Sequence, residues 1–445
     1  MISQTRSRLV RAVSVFAVAA VVVAGCSTSR SSNAKSGGTT SSGGAPGRGV
    51  DAKTIKVGFS YIDLETLAKS GIIKIDHGPY EDIIKALVDD VNAHGGVNGR
   101  TLVLSTAKYS PIGTTDQLTA CTKLTEDDGV FIVLNGFLGG NNLCVVQQHA
   151  TALIGGDTTS LTPAHLAAAQ APWVSASATS TRSINALVEL LDKGGQLKGK
   201  TIGVYGAQVG NQPLIAAGVK ALEKAGYKVA ETGFNDAPEN DTQAASTQDK
   251  TIAQRMMDKG VDTVIDVTQF IPGADFDAAG FHPSLYTLDV GNIAAGAFTN
   301  PFSKFPVVAG LSTGSQAGDE LKTAAFKHCA DVYKKATGRV IKDQLQEDLD
   351  GKSSGNVAMQ IACTDLQIFT LGAKAAGKTL NNATFRAGVA SLGAVTLANG
   401  TKAVFGPGSL AGQVSFQLQK FDPNWKQGSG KPQFTPDGST IQVKG

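Results

Sequence analysis

Gly310-Leu311-Ser312-Thr313-Gly314 is the stretch of this chain that spells a nucleophile elbow. G-x-S-x-G presents a serine hydroxyl on a sharp strand-to-helix turn, and its use requires an acid and then a histidine further along the chain. The only downstream histidine is His328, sixteen residues on and inside a helical pattern, so a Ser312 hydrolase is the minor reading. Metal chemistry lacks its spacing, because the six histidines are scattered and neither CxxC nor HExxH occurs. No motif asks for a cofactor. Of the five cysteines Cys26 stands apart, and Cys121, Cys144, Cys329 and Cys363 form an even set, which reads as disulfides in an oxidising compartment. Four cysteines allow three pairings. Cys121 with Cys144 and Cys329 with Cys363 close short local loops and are favoured, although the sequence leaves the choice open.

An oxidising compartment is what the N-terminus implies. Arg6, Arg8 and Arg11 precede a stretch from Ala12 to Gly25 that carries no charge, 14 residues against the roughly 20 that a spanning helix needs. A basic start, a short apolar segment and small residues at its end are the anatomy of a secretory signal. Its ending, Val23-Ala24-Gly25-Cys26, resembles the bacterial lipobox, in which cleavage leaves a lipidated cysteine as the first residue. The serine- and glycine-rich segment that follows cannot bury a core and reads as a tether. The whole chain has 40 Lys+Arg against 37 Asp+Glu, and loss of the three signal arginines leaves 37 against 37. No basic run interleaved with aromatics survives, so nucleic acid is excluded as a partner.

About 395 residues follow Val50, more than one core usually supports, which predicts two lobes. From Thr54 onward short β-rich runs alternate with helical patterns, the arrangement of parallel sheets with helical crossovers. Strands are expected at TIKVGFS from Thr54, TLVLSTA from Thr101, VFIVLN from Val130, TALIGG from Thr151, TIGVYG from Thr201, YKVAET from Tyr227, DTVIDV from Asp262, SLYTLD from Ser284 and PVVAGL from Pro306. The clearest helix follows Pro79, with Ile84, Leu87, Val88 and Val91 on one face. Others are expected at about 211–224, 317–336 and 355–376. KTIKVGFS and KGKTIGVYG each open a βαβ run, as the first strands of two lobes of like topology would.

The segment ALVDDVNAHGGVNGRTLVL, Ala86 to Leu104, has a complete physical reading of its own. Gly95 and Gly96 end the helix, Val97 tucks inward, and Asn98-Gly99 makes a tight turn into a strand. The same segment resembles the first helix-to-strand passage of type I periplasmic binding proteins, the leucine/isoleucine/valine-binding group. KGKTIGVYG, GVDTVIDV and FGPGSLAGQVSFQLQKFDPNW are similar to later passages of that family, and Cys121 and Cys144 lie where it often carries a disulfide. The resemblance implies two open, doubly wound α/β lobes joined by a three-segment hinge, with ligand held in the cleft. The expected division is a signal peptide over 1–25, a lipidated cysteine and linker over 26–50, an N-terminal lobe from 51–178 plus 305–405, and a C-terminal lobe from 179–304 plus 406–445.

Open parallel sheets present ligands at the carboxyl ends of their strands, so candidate contacts are the residues just past each expected strand. These are Tyr61 and Asp63; Gly139, Gly140 and Asn141, at an expected helix start whose N–H groups suit a carboxylate; and Asp157, Thr158 and Thr159. From the second half come Gln208, Phe270, Asp289 and Asn292. Asp157 or Asp289 would suit an ammonium, and Tyr61 or Phe270 an apolar wall. The chain departs from amino-acid binders of the family at Gly139-Gly140, where they tend to have serines or threonines, and at Val209, where they have an aromatic. The resemblance therefore implies an exported, monomeric, non-enzymatic binder of a small polar or amphipathic solute. It would be lipid-anchored to the outer face of the cell membrane through Cys26 and deliver its solute to an ABC permease and ATPase complex. A sensor of the same fold is the alternative.

Overall fold

The computed structural model describes residues 44–443 except 70–75, 112, 239–240, 270–271, 291–300, 314–317, 344–345, 348–349, 351 and 428–430. The signal segment, Cys26, residues 27–43 of the expected linker, Phe270 and Asn292 lie outside the described residues. Residues 44–50, also expected as linker, belong instead to the folded lobe: Gly47 N–H donates to Leu380 O at 2.8 Å and Arg48 pairs with Glu126 at 3.2 Å.

The first strand, β1 (Thr54–Ile62), buries Ile55, Val57 and Phe59 on one side, while Gly58 on the other lets Leu124 and Val130 approach. A strand covered on both faces is apolar along its length, which is why TIKVGFS does not alternate. The helix Tyr80–Ala93 lays Tyr80, Ile83, Ile84, Leu87 and Val88 onto the sheet. It stops where Gly96 N–H bonds back to Val91 O, and Val97 and Arg100 then exchange both backbone bonds across Asn98 and Gly99, at φ 53° and 79°. Two successive positive φ values define a type I′ turn. Asn98 uses its side chain as well, donating to Ala373 O and Gly377 O at 2.8 Å, so the turn is tied to the end of the distant helix Asn356–Ala376.

That turn leads into β2 (Thr101–Tyr109), and β3 (Ile132–Asn135), β4 (Ala152–Gly155) and β5 (Trp173–Val174) complete a parallel sheet in the order β2-β1-β3-β4-β5. The second sheet holds β6 (Ile202–Ala207), β7 (Val229–Asn235), β8 (Thr263–Asp266), β9 (Ser284–Thr287) and β10 (Val308–Ser312), parallel in the order β7-β6-β8-β9-β10. In each lobe the first strand thus lies between the second and third. The two segments singled out as similar, β1 and β6, hold equivalent places. A small hairpin, β11 (Gly393–Thr396) with β12 (Lys402–Phe405), precedes a long one, β13 (Ser415–Gln427) with β14 (Lys431–Gln442), which extends the second sheet antiparallel to β10.

One expected boundary is wrong. The expected division puts PVVAGL in the N-terminal lobe from residue 305, yet β10 pairs with β9 on one edge and β13 on the other. Its backbone groups find ladder partners only in the second sheet, so the chain returns to the first lobe after Ser312. The return passes through the helices Ala324–Thr337, Asn356–Ala376 and Asn382–Ala390, which share a core with β1.

Both local disulfides are present, Cys121–Cys144 within the opposite core of the first lobe and Cys329–Cys363 between two of the returning helices. The Cys121 and Cys144 sulfurs lie close to the His149 ring, but as a disulfide they are not thiolate ligands.

The lobes are joined where β5 runs into the helix Ser180–Lys193, where β10 leads back, and where β12 leads on to β13. The first and last of these pair: Ser175 N–H donates to Leu410 O and Gly412 N–H to Ser175 O, at 3.0 and 2.8 Å. Arg182 clamps them, its guanidinium donating to Ala411 O and Gln413 O at 2.8 Å and to Ser409 Oγ at 3.0 Å. Burial holds this guanidinium below its ordinary pKa, and the three oxygens that stabilise it are all neutral.

Candidate functional site

Reversal of strand order opens a crevice at the carboxyl ends of β1 and β3 in one lobe and of β6 and β8 in the other. Non-glycine residues with positive φ mark three of these strand ends: Asn135 at 72°, Gln208 at 71° and Gln269 at 67°. Left-handed backbone costs a side chain about 1 kcal/mol or more and persists where surroundings fix it, often at ligand sites. Fixing is visible in the bonds. Asn135 donates from Nδ2 to Ser60 O, and Ser60 donates to Gly136 O, closing the β1/β3 crevice. Across the second lobe, Thr268 Oγ accepts from Ala207 N–H and donates to buried Asp266, which also accepts from Thr287. One carboxylate therefore ties together the ends of β6, β8 and β9.

Two cavities open along the first lobe's carboxyl edge. The larger, about 1600 Å³, lies past β1 and β2 and reaches the segment around Arg339 and Lys342. Its aromatic wall is Tyr61 stacked on Tyr80, centroids 5.4 Å apart, with Tyr80 hydroxyl 2.8 Å from His77 Nδ1. Burial, reinforced by Glu81, pushes the Tyr61 hydroxyl far above its ordinary pKa, and burial lowers that of His77, so both are neutral at pH 7. Charges at the rim are paired, Lys108 with Asp63 at 3.0 Å and Arg339 with Asp82 at 3.1 Å. Burial alone would raise the Asp63 carboxyl, but hydrogen bonds from Lys108 and Thr66 bring it below its usual value. The smaller cavity, about 230 Å³, lies past β3, β4 and β5 against the helix Asn356–Ala376.

The expected contacts divide accordingly. Tyr61 and Asp63 line the larger cavity. Gln208 stands at the end of β6, its backbone held by Asn235 O and Asn211 N–H, beside Val209, which is 68% exposed. Asp289 accepts from Gln269 Nε2 at 3.4 Å, linking the ends of β8 and β9. Asp157 spends one oxygen on its own turn, accepting from Thr159 Oγ, Ser160 N–H and Ser160 Oγ, all at 2.8 Å, and Thr158 and Thr159 are buried. Gly139–Asn141 is a 3-10 turn that opens a helical run continuing to Gln148, and Asn141 N–H donates to Leu138 O. The expected helix start is thus present, with a first turn of 3-10 geometry, and Asn142 Oδ1 accepts from Phe137 N–H at 2.7 Å just ahead of it. Neither segment lines either cavity.

Sequence reasoning missed Asn135, Gln269, Ser175, Ser177 and Asp365. Asn135 and Gln269 were within reach, being strand-end residues of the two crevices. Asp365 sits mid-helix, where nothing local distinguishes it from a solvated acid. Ser312 closes β10 with its hydroxyl 3.4 Å from Gln417 O, while His328 lies on a helix of the other core and bonds Asp90 at 2.9 Å, so they do not form a nucleophile and base pair.

The sequence pattern of the periplasmic binding protein family matches residues 54–419. No curated protein matches the chain. Among solved structures, the fold is similar to an ABC transporter substrate-binding protein from Desulfitobacterium hafniense in complex with Leu. Identity is 13%, the TM-score is 0.54, and 86% of this chain and 100% of that one are covered. It is also similar to a solute-binding protein from R. palustris in complex with 4-hydroxybenzoate, at 16% identity and TM-score 0.58 over 88% and 97% of the two chains. A fatty acid ABC transporter substrate-binding protein from Thermomonospora curvata has 15% identity and TM-score 0.57 over 90% and 95%. At such identities the likeness speaks for the fold alone, but the pattern spans most of both lobes, and the chain belongs to the periplasmic binding protein family.

Proposed function

We propose that this chain is the extracytoplasmic, lipid-anchored solute-binding component of an ABC importer, taking a small polar or amphipathic solute such as an amino acid or a related carboxylate or amide. The observation that supports this most is the repeated crevice. Two lobes of identical strand order each end in strained, hydrogen-bonded loops, and three crossing segments join them. Solute bridging both edges interacts more strongly with a closed form than with an open one, and that difference in affinity drives closure. The closed form is what a permease would read. The similar folds carry Leu, 4-hydroxybenzoate and a fatty-acid label, so the family itself leaves the solute open.

A thermal-shift screen of amino acids, amines, aromatic and aliphatic acids and amides tests the reading, since a solute at a hundred times its Kd adds about 2.7 kcal/mol to stability. A rise in Tm with at least one class is expected, and a folded protein indifferent to all of them contradicts solute carriage. Anchoring is tested separately. Cys26→Ser is expected to move the protein from the membrane to the soluble fraction with its Tm unchanged, and retention of the variant on membranes would rule out the lipid.

A further inference from the structure

The smaller cavity contains an acid that the rest of the molecule leaves half used. Asp365 is 6% exposed on the helix Asn356–Ala376, and its Oδ2 accepts from Asn135 N–H at 2.8 Å. Its other oxygen has no donor among the described residues. Among the described residues Asp365 is the only titratable one lining the cavity; Ser175, Ser177, Gln360 and Thr364 contribute neutral polar groups. Among the described residues the neighbouring elements bring no countercharge: β3, β4 and the 175–177 segment face it with uncharged residues, and the carboxyl is acted on by its own burial and by the bond from Asn135 N–H. Leaving a carboxylate oxygen buried and unpaired costs more than a neutral group would, and the cost is relieved by a proton or by a cation.

Place matters as much as chemistry. The cavity touches the ends of β3 and β4 through Asn135 and Gly155, and it touches the hinge through Ser175 and Ser177. Ser175 is the residue that bridges to the third crossing segment, and its hydroxyl donates to Gly156 O. A group entering here contacts the crevice and the hinge at once. The volume of about 230 Å³ equals the share of roughly eight liquid waters, enough for the polar end of a small molecule.

We infer that this cavity is a subsite for a protonated primary amine of the solute, with Asp365 as its counterion and Ser177 and Gln360 as additional acceptors. The inference rests on the solute-carrier reading and narrows its solute class to amines and amino acids. An N-terminal-lobe helix, not a strand-end loop, then supplies the charge that selects them. Burial pushes the Asp365 carboxyl up to about 8, so the empty site is largely protonated at pH 7 and an amine must displace that proton. Binding therefore strengthens as pH rises towards 8.5, while the amine itself is still charged.

The test uses the full-length protein and three probes of one size: butylammonium, butanol and butyrate, each in a Tm titration at pH 6.0 and pH 8.5 and at matched ionic strength. Butylammonium is expected to raise Tm, more at pH 8.5 than at pH 6.0, and butanol to do neither. Asp365→Asn keeps the shape and the bond from Asn135 N–H while removing the charge. It is expected to weaken butylammonium binding about tenfold or more at pH 8.5 and to abolish the pH difference. Stabilisation by butyrate or another acid of the solute screen, with butylammonium inert, overturns the amine subsite and leaves solute carriage standing. Failure of every probe and every screened solute overturns both. The wild-type pH comparison decides the matter even if the variant does not fold.

Discussion

Single residues in this molecule are held by buried polar bonds whose protonation has consequences. Asp249, on the helix Thr242–Asp258, accepts from Tyr205 hydroxyl at 2.8 Å and Asn235 Nδ2 at 2.7 Å, both on Oδ1. Burial pushes its carboxyl from 3.8 up to about 6 despite these two bonds. The folded protein thus binds this proton more tightly than the unfolded chain. The resulting stability is fully present below about pH 4 and is lost as pH rises through 6, on the order of 3 kcal/mol. Asparagine can keep both bonds on its carbonyl oxygen. Asp249→Asn is therefore expected to flatten this fall in Tm between pH 4 and 6 and to be the more stable protein at pH 7. An unchanged pH slope would show that the group titrates normally.

At the level of elements, the turn after the first long helix offers a graded experiment. Gly99 has φ 79° and open space where a Cβ would go, so Gly99→Ala meets only the backbone cost, about 1 kcal/mol. Gly96 has φ 67° and a Cβ there would fall 2.0 Å from Arg100 O, so the two-residue turn itself must move. Urea denaturation should rank Gly96→Ala well below Gly99→Ala, and equal losses would mean that the turn is not packed as described. This passage was legible in the sequence because each residue is fixed by its neighbours: the glycines end the helix, and Asn98-Gly99 suits a type I′ turn. β5, two residues long, was not legible, since Trp173 and Val174 become a strand only by lying against β4. β10 was recognised as a strand but assigned to the wrong lobe, because partnership is decided by β9 and β13, which no local pattern names. Among site residues the same division holds. Tyr61 and Asp63 follow from their place after β1, whereas the internal bonds that occupy Asp157 and the third dimension that brings Asp365 to Asn135 are invisible along the chain.

For the whole molecule, the two lobes hold equivalent crevices and the crossing segments are themselves bonded, Ser175 to Leu410 and Gly412, with Arg182 beneath. A hinge so tied moves as one strip, which suits rotation of lobes about it and does not suit unravelling. Binding that bridges the crevices must then shorten the molecule. Small-angle X-ray scattering of the protein with and without a solute found by thermal shift measures this directly. The radius of gyration is expected to fall on saturation, with the maximum dimension, and to return when the solute is removed. A saturated protein with unchanged dimensions would contradict closure of two lobes upon a solute.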